Sequence, residues 1–279
     1  MRIVLGLALA VLVSPALGET LLERGASLVN SVMNCHGCHT PRGSNGLDLS
    51  RALSGGPQVF DETDYKVVGS NITPDKETGI GSWSDAELKK FFVTGVKPNG
   101  VKAAPIMPYE FYTVLTARDL DALVAYLRSV PPMRREMPMP EYRRASKPET
   151  PTYAGAQMTD SDMTDRLSRG RYLLSISHCL ECHTPEGPSV EHDFAGSTGK
   201  GGRTFKGPWG ESRSLNITSH PAAGLGQWSD DEIKRAITQG VARDGRKLKP
   251  PMAYAAYATM TAQDLDAIVA FVRTMPPLE

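Results

Sequence analysis

Cysteine is scarce in this chain: 279 residues carry four, and every one of them falls in one of two short motifs. No thiol is left over for a separate disulfide framework. Long apolar runs are lacking too. The longest, Ile3 to Val13, covers 11 residues, well short of the ~20 that a helix needs to cross a bilayer. An excess of either charge is missing, with 31 Lys plus Arg against 31 Asp plus Glu, which excludes the strongly basic field on which nucleic-acid binding relies. Alternation of apolar and polar residues is absent apart from short runs such as Lys66-Val67-Val68, and that excludes an extended sheet. What remains is a chain of helices.

Against that scarcity two motifs stand out. Cys35-His36-Gly37-Cys38-His39 and Cys179-Leu180-Glu181-Cys182-His183 both follow C-x-x-C-H, and each runs on into Thr-Pro. In this arrangement two thiols add across the vinyl groups of a haem, and the adjoining His presents an imidazole nitrogen to the iron. Spacing and order both carry chemistry, and the pattern points to c-type haem attachment. A zinc ribbon or a pair of disulfides is the competing reading. It requires two Cys pairs to fold together across a short loop, whereas these stand 144 residues apart. The expected cofactors are two haem c groups, covalently bound through Cys35, Cys38, Cys179 and Cys182, with His39 and His183 as proximal ligands. A buried prosthetic group also substitutes for core side chains in domains of modest size.

Arg2, the apolar run and Ala16-Leu17-Gly18 together read as a secretory signal over residues 1–18, cleaved to leave a chain beginning near Glu19. No Cys precedes position 35, so lipid attachment at the cleavage point is excluded. Losing the leader removes Arg2 alone and leaves 30 Lys plus Arg against 31 Asp plus Glu. The expectation is an exported, periplasmic protein with no membrane span of its own and no nucleic-acid partner.

The chain repeats itself. Asn71 to Pro132 aligns without a gap on Asn216 to Pro277 at a constant offset of 145, with nearly half of the paired positions identical. The haem motifs are offset by 144, so one residue was gained or lost in the Gly-rich loop between. This is a duplicated domain with one haem per copy: residues 19–133 form the first, 134–160 an extended linker, and 161–279 the second. In the linker, Arg134, Arg135, Arg143, Arg144 and Lys147 read as scattered charges on a solvated tether, with a basic docking patch as the alternative.

Each copy reads as a small set of helices, and the fold class as all-α. Leu21 to Asn34 and Leu167 to Ser177 lead into the haem motifs. Ser84 with Glu87, and Ser229 with Glu232, form capping boxes that open a second helix, with Gly95 and Gly240 as its stops. Leu120, Leu123, Val124 and Leu127 share one face of a closing helix, as do Leu265, Ile268, Val269 and Val272. Tyr126 and Phe271 on those closing helices are expected to pack into notches at Gly25 and Gly170.

A six-coordinate haem needs a distal ligand, and the repeat nominates one in each copy. Met107 and Met252 occur in register within Pro-rich runs, Pro105-Ile106-Met107-Pro108-Tyr109 and Pro250-Pro251-Met252-Ala253-Tyr254. Proline restricts itself and its predecessor, so such a loop holds a thioether in place without regular structure. Thioether ligation opposite His raises the reduction potential and fills the position that oxygen or peroxide would take. That favours electron transfer over catalysis. His36 and His178 stand too close to the motifs to reach the opposite face, and His192 and His220 have no counterpart in the first copy. Trp83 and Trp228 are candidates to donate an indole N–H to a haem propionate, with a buried structural Trp as the alternative. Tyr109 with Tyr254, and Tyr112 with Tyr257, are expected near the haem edge.

Taken together, each copy resembles a class I cytochrome c domain: an Arg-Gly helix, C-x-x-C-H-T-P, a distal Met loop and a closing helix. The run from Asn71-Ile72-Thr73-Pro74-Asp75 to Trp83-Ser84-Asp85 is similar to the haem-c subunits of bacterial alcohol, aldehyde and gluconate dehydrogenase complexes. The resemblance implies two tandem class I-type domains, with His39 and Met107 on one iron and His183 and Met252 on the other. It implies electrons passing from a redox donor, such as a dehydrogenase, towards a quinone, a terminal oxidase or another cytochrome. The competing function is a haem enzyme, a di-haem peroxidase or a sulfur-compound oxidoreductase, and a Met in register in both copies argues against it.

Overall fold

In the computed structural model, which describes residues 18–44, 46–144, 156–187 and 192–279, the chain is mostly helical and built twice on one plan. Residues 1–17 of the expected leader over 1–18, and the linker stretch 145–155 with Lys147, lie outside the described residues. The first repeat contains α1 (Leu21–Ser27), α2 (His36–His39), α3 (Asp85–Thr94) and α4 (Ala117–Ser129). The second contains α5 (Arg166–Ile176), α6 (Cys179–His183), α7 (Asp230–Gln239), α8 (Tyr254–Tyr257) and α9 (Ala262–Val272).

Local chemistry sets where these helices start and stop. Ser84 and Ser229 each accept from the N3 backbone while Glu87 and Glu232 reach back to the cap, so both capping boxes close. Gly95 and Gly240 end α3 and α7 in the left-handed region, at φ 68° and 64°. Thr116 and Thr261 cap α4 and α9.

The opening helix of each repeat lies against its closing helix, α1 on α4 and α5 on α9. Contact at the crossing is backbone to backbone. A Cβ at Gly25 would come within 2.1 Å of the Ala122 carbonyl oxygen and 2.6 Å of the Tyr126 Cβ, and one at Gly170 within 2.1 Å of the Ala267 oxygen and 2.7 Å of the Phe271 Cβ. The two notches therefore exist where the sequence places them. A bidentate pair locks the first crossing, with Arg24 Nε and Nη2 at 2.8 and 2.7 Å from the Asp119 carboxylate. Arg169 and Asp264 pair at the equivalent place, with Arg169 Nε and Nη2 both donating to Asp264 Oδ1 at 2.8 and 2.5 Å.

The first repeat carries one more residue than the second between the Arg-Gly pair and the first Cys. The extra residue is taken up inside the helix: Leu28–Val32 continues α1 as a π turn, whereas α5 is regular. The loop downstream is thus the second of two register shifts.

The all-α expectation holds in part: helices dominate, and short strands join them. Three small antiparallel sheets accompany the helices among the described residues: β1 (Arg42–Gly43) with β2 (Gly46–Leu47), β3 (Val59–Asp61) with β4 (Tyr65–Val68) and β5 (Glu141–Tyr142), and β6 (Thr204–Gly207) with β7 (Gly210–Arg213). Strands this short, and largely exposed, have no buried face to impose alternation. β5 comes from the linker. It pairs Tyr65 with Tyr142, and the linker arginines tie down the same stretch: Arg134 meets Glu77 at 2.6 Å, Arg135 donates to the Gly55 carbonyl at 2.6 Å, and Arg143 meets Asp61 at 2.8 Å. The described part of the linker is a strap on the first repeat, and most of its basic groups are spent internally.

The two repeats share one hydrophobic core, to which the first contributes Leu28, Phe111 and Leu123 and the second Tyr172, Leu173 and Ile268. Their contacts are reciprocal. Ser31 Oγ donates to the Ala256 carbonyl at 3.0 Å, and Ser175 Oγ donates to the Phe111 carbonyl at 3.2 Å. Ser175 is the repeat counterpart of Ser31, and Ala256 of Phe111. A surface that meets its own copy in this crosswise way is isologous, and the repeats are related by a pseudo-twofold axis.

Candidate functional site

The turn of α2 brings Cys35, Cys38 and His39 together, with His39 N–H donating to the Cys35 carbonyl at 2.9 Å. The residue before each motif adopts the left-handed region, Asn34 at φ 46° and His178 at φ 43°, which ends the incoming helix and aims the motif. Thr40 and Thr184, fully buried, accept from the Leu53 and Gly199 N–H groups at 2.9 and 3.2 Å. The Thr of C-x-x-C-H-T thus pins the loop behind the His.

The four thiols are free, with no disulfide between Cys35 and Cys38 or between Cys179 and Cys182. Burial holds them protonated, pushing Cys35, Cys179 and Cys182 up to about 12 and Cys38 to about 11. Among the described residues, no group of three or more His, Cys, Asp or Glu side chains is placed to hold a metal ion.

Both motif histidines are oriented identically. His39 Nδ1 lies 2.7 Å from the Ser70 carbonyl, and His183 Nδ1 lies 2.7 Å from the Leu215 carbonyl. A carbonyl only accepts, so Nδ1 carries the proton and Nε2 keeps its lone pair for a metal. Burial also lowers the pKa of both rings, the carbonyl bond opposing it in part. Free thiols at this spacing beside a neutral imidazole with an available nitrogen are the donor set that a c-type haem takes, so the residues fit the group.

The other histidines are engaged elsewhere. His36 holds Thr40 Oγ1 at 2.7 Å and Asn30 Oδ1 at 2.8 Å, His178 faces Glu181 at 2.8 Å, and His192 meets Arg203 at 2.6 Å. His220 Nδ1 accepts from Ala222 and Ala223 N–H at 3.2 and 2.9 Å. Its counterpart Asp75 accepts from Glu77 and Thr78 N–H at 3.1 and 2.7 Å. The imidazole replaces a carboxylate as acceptor for one and the same turn.

Met107 and Met252 occupy equivalent half-buried loops, and Met107 packs against the core. Tyr109 and Tyr112, which follow Met107, are buried, as is Tyr257. Tyr112 and Tyr257 are fully enclosed, and burial pushes both hydroxyls well above the usual tyrosine range. Trp83 is half-buried, its ring edge-on to Phe91 at 5.4 Å.

Sequence reading missed the groups that hold the Trp turns. Arg128 spans the Ile80 carbonyl at 3.0 Å, the Trp83 carbonyl and Asp85. Arg273 spans the Leu225 carbonyl at 2.9 Å, the Trp228 carbonyl and Asp230. Identity of the two arginines across the repeat was the available signal. Glu181 inside the second motif was missed as well. Its carboxylate is held ionised by His178 against the opposing effect of burial, and its charge acts on Cys38 and Tyr112 of the first repeat.

Residues 22–131 and 167–276 each match the family model described as Cytochrome c. The chain is similar to the fructose dehydrogenase cytochrome subunit of Gluconobacter japonicus, 30% identical over 87% of this chain and 50% of that protein. It is similar to the gluconate 2-dehydrogenase cytochrome c subunit of Pantoea cypripedii, 28% identical over 86% of this chain and 56% of that one. The diheme cytochrome c-type protein of Cereibacter sphaeroides is 29% identical, over 88% of this chain and 83% of its own length. The chain thus spans about half the length of the two dehydrogenase subunits and most of the diheme protein.

Proposed function

The chain belongs to the cytochrome c family, and from that premise we propose that it is an exported di-haem carrier whose irons are held by His39 with Met107 and by His183 with Met252. Its cofactors are two covalently attached haem c groups, one to a repeat. Haem c supplies a one-electron redox centre. The residues of this chain attach it, fix its proximal side and close its distal side.

The single observation that carries the reading is the pair of identical Nδ1–carbonyl bonds, to Ser70 and Leu215. They leave each Nε2 free, while a Met stands in register in each repeat. With the remaining histidines among the described residues engaged in structural bonds, the methionines are the distal donors that remain. Trp83 and Trp228, in turns clamped by Arg128 and Arg273, are assigned to the propionate side.

A leader-like N-terminus and C-x-x-C-H motifs support a periplasmic location. The dehydrogenase subunits among the relatives support a dehydrogenase as electron donor, with a quinone, an oxidase or another cytochrome as acceptor. No helix among the described residues is long and apolar enough to cross a membrane.

The test is the absorption spectrum of the reduced, haem-loaded protein before and after carbon monoxide. The unaltered protein should not change, and Met107→Ala or Met252→Ala should each open one haem to the gas. A shift in the unaltered protein would reveal an open distal position and move the assignment to a haem enzyme.

A further inference from the structure

We propose that Ser31 and Ser175 are positioning residues that couple the two haem sites, each setting the distal side of the site in the opposite repeat. The proposal rests on the His/Met ligation above and extends it to the communication between the sites.

The geometry is crosswise. Ser31 and Ser175 each stand four residues before the first Cys of their own motif, about one turn back on the helix that delivers it. Their acceptors, the Ala256 and Phe111 carbonyls, each stand four residues after the opposite distal Met. Every attachment helix is therefore bonded to the turn that follows the other site's methionine. Both serines are buried, at 2% and 0% exposure. A buried hydroxyl stripped of its acceptor loses more than the net value of the bond, so neither contact is released freely.

Further observations bear on the same turns. Phe111 packs edge-on to Phe194 of the second repeat at 6.0 Å. The next residues, Tyr112 and Tyr257, are buried, and the Tyr257 hydroxyl donates to the Ser177 carbonyl, two residues before the second motif, at 3.3 Å. Glu181 stands where the first motif has Gly37. The turn after each Met is thus held by the opposite repeat's helix, and in the second repeat it also bonds to the segment that enters its own haem-attachment motif.

Axial-ligand geometry and second-shell contacts set the potential of such an iron. A displacement of one attachment helix therefore reaches the potential of the haem across the axis.

The experiment is a potentiometric titration of the haem-loaded protein, with each haem followed by the NMR methyl signal of its axial Met. Those signals are assigned with the Met107→Ala and Met252→Ala variants. Ser175→Ala should shift the midpoint of the haem held at Cys35 and Cys38 more than that of its own repeat. The shift should reach up to about tenfold in the reduced-to-oxidised ratio at a fixed applied potential, about 59 mV for a one-electron couple. Ser31→Ala should do the reverse, and Ser→Thr at either position should restore the original values by keeping the hydroxyl.

A shift confined to the mutated repeat's own haem, an equal shift in both, or none would overturn the proposal. Should an alanine variant fail to take up both haems, Ser175→Cys is read in the same titration. The two readings fail separately: if Met107→Ala stays closed to carbon monoxide, the ligation is wrong whatever the serines do. If it opens and the crossed shift is absent, the ligation stands and the coupling falls.

Discussion

Asp119 collects more buried donors than any residue of the helix crossings. Arg24 approaches it through two nitrogens, and Tyr172 of the other repeat donates to it at 2.5 Å. Arg24 is 9% exposed and Asp119 5% at the side chain, so removing the carboxylate strands a buried cation and an unpartnered hydroxyl. Asp119→Ala should cost about 3–5 kcal/mol in chemical denaturation of the haem-loaded protein. Asp264→Ala should cost less, because its partner Arg169 is 21% exposed at the side chain and retains access to water. Equal losses would show that burial does not set the scale. At this scale the two haem-attachment motifs were legible, because their chemistry lies in five consecutive residues. Asp119, Arg128 and Arg273 were not, because each acts on a partner distant in sequence, 95 residues for Arg24–Asp119, and such pairing leaves no pattern in either segment alone.

Among the elements, helix ends were readable because a cap involves neighbours three or four residues apart. The sheets were not, since strands of two to four residues offer too few positions for a period to show, and the β5 pairing joins segments far apart in sequence. The glycine notches were legible as a pairing, and the structure adds their size. Alanine is favoured over glycine inside a helix by about 0.8–1 kcal/mol, yet at Gly25 its methyl would enter backbone that cannot swing aside. Overpacking of that kind costs about 1–3 kcal/mol and wins. Gly25→Ala and Gly170→Ala should both lower the midpoint of thermal unfolding, and a rise in either would mean that α1 and α4, or α5 and α9, slide apart without loss.

As a whole molecule, the repeats cannot unfold independently if their core is one. Leu173, 1% exposed, lines a cavity of about 90 Å³ at the junction together with Thr116 and Asp119 of the first repeat. Leu173→Ala should cost about 2–5 kcal/mol and lower a single calorimetric transition. Two separated transitions, with the first repeat's unmoved, would show instead that the halves are independent. The duplication was plain in the sequence. The twofold relation between the copies was not, because Ser31 and Ser175 look like ordinary helix residues until their carbonyl partners are seen.

A relay built on a twofold axis has no forward direction of its own. Identical halves would give an electron equal reason to rest on either, and a donor equal reason to approach either face. Polarity must come from the places where the copies differ, among them a carboxylate at position 181 opposite a glycine at 37, Tyr172 where the first repeat has Ser27, and a linker whose described part straps the first half. Departures such as these, more than the shared scaffold, are where an entrance can differ from an exit.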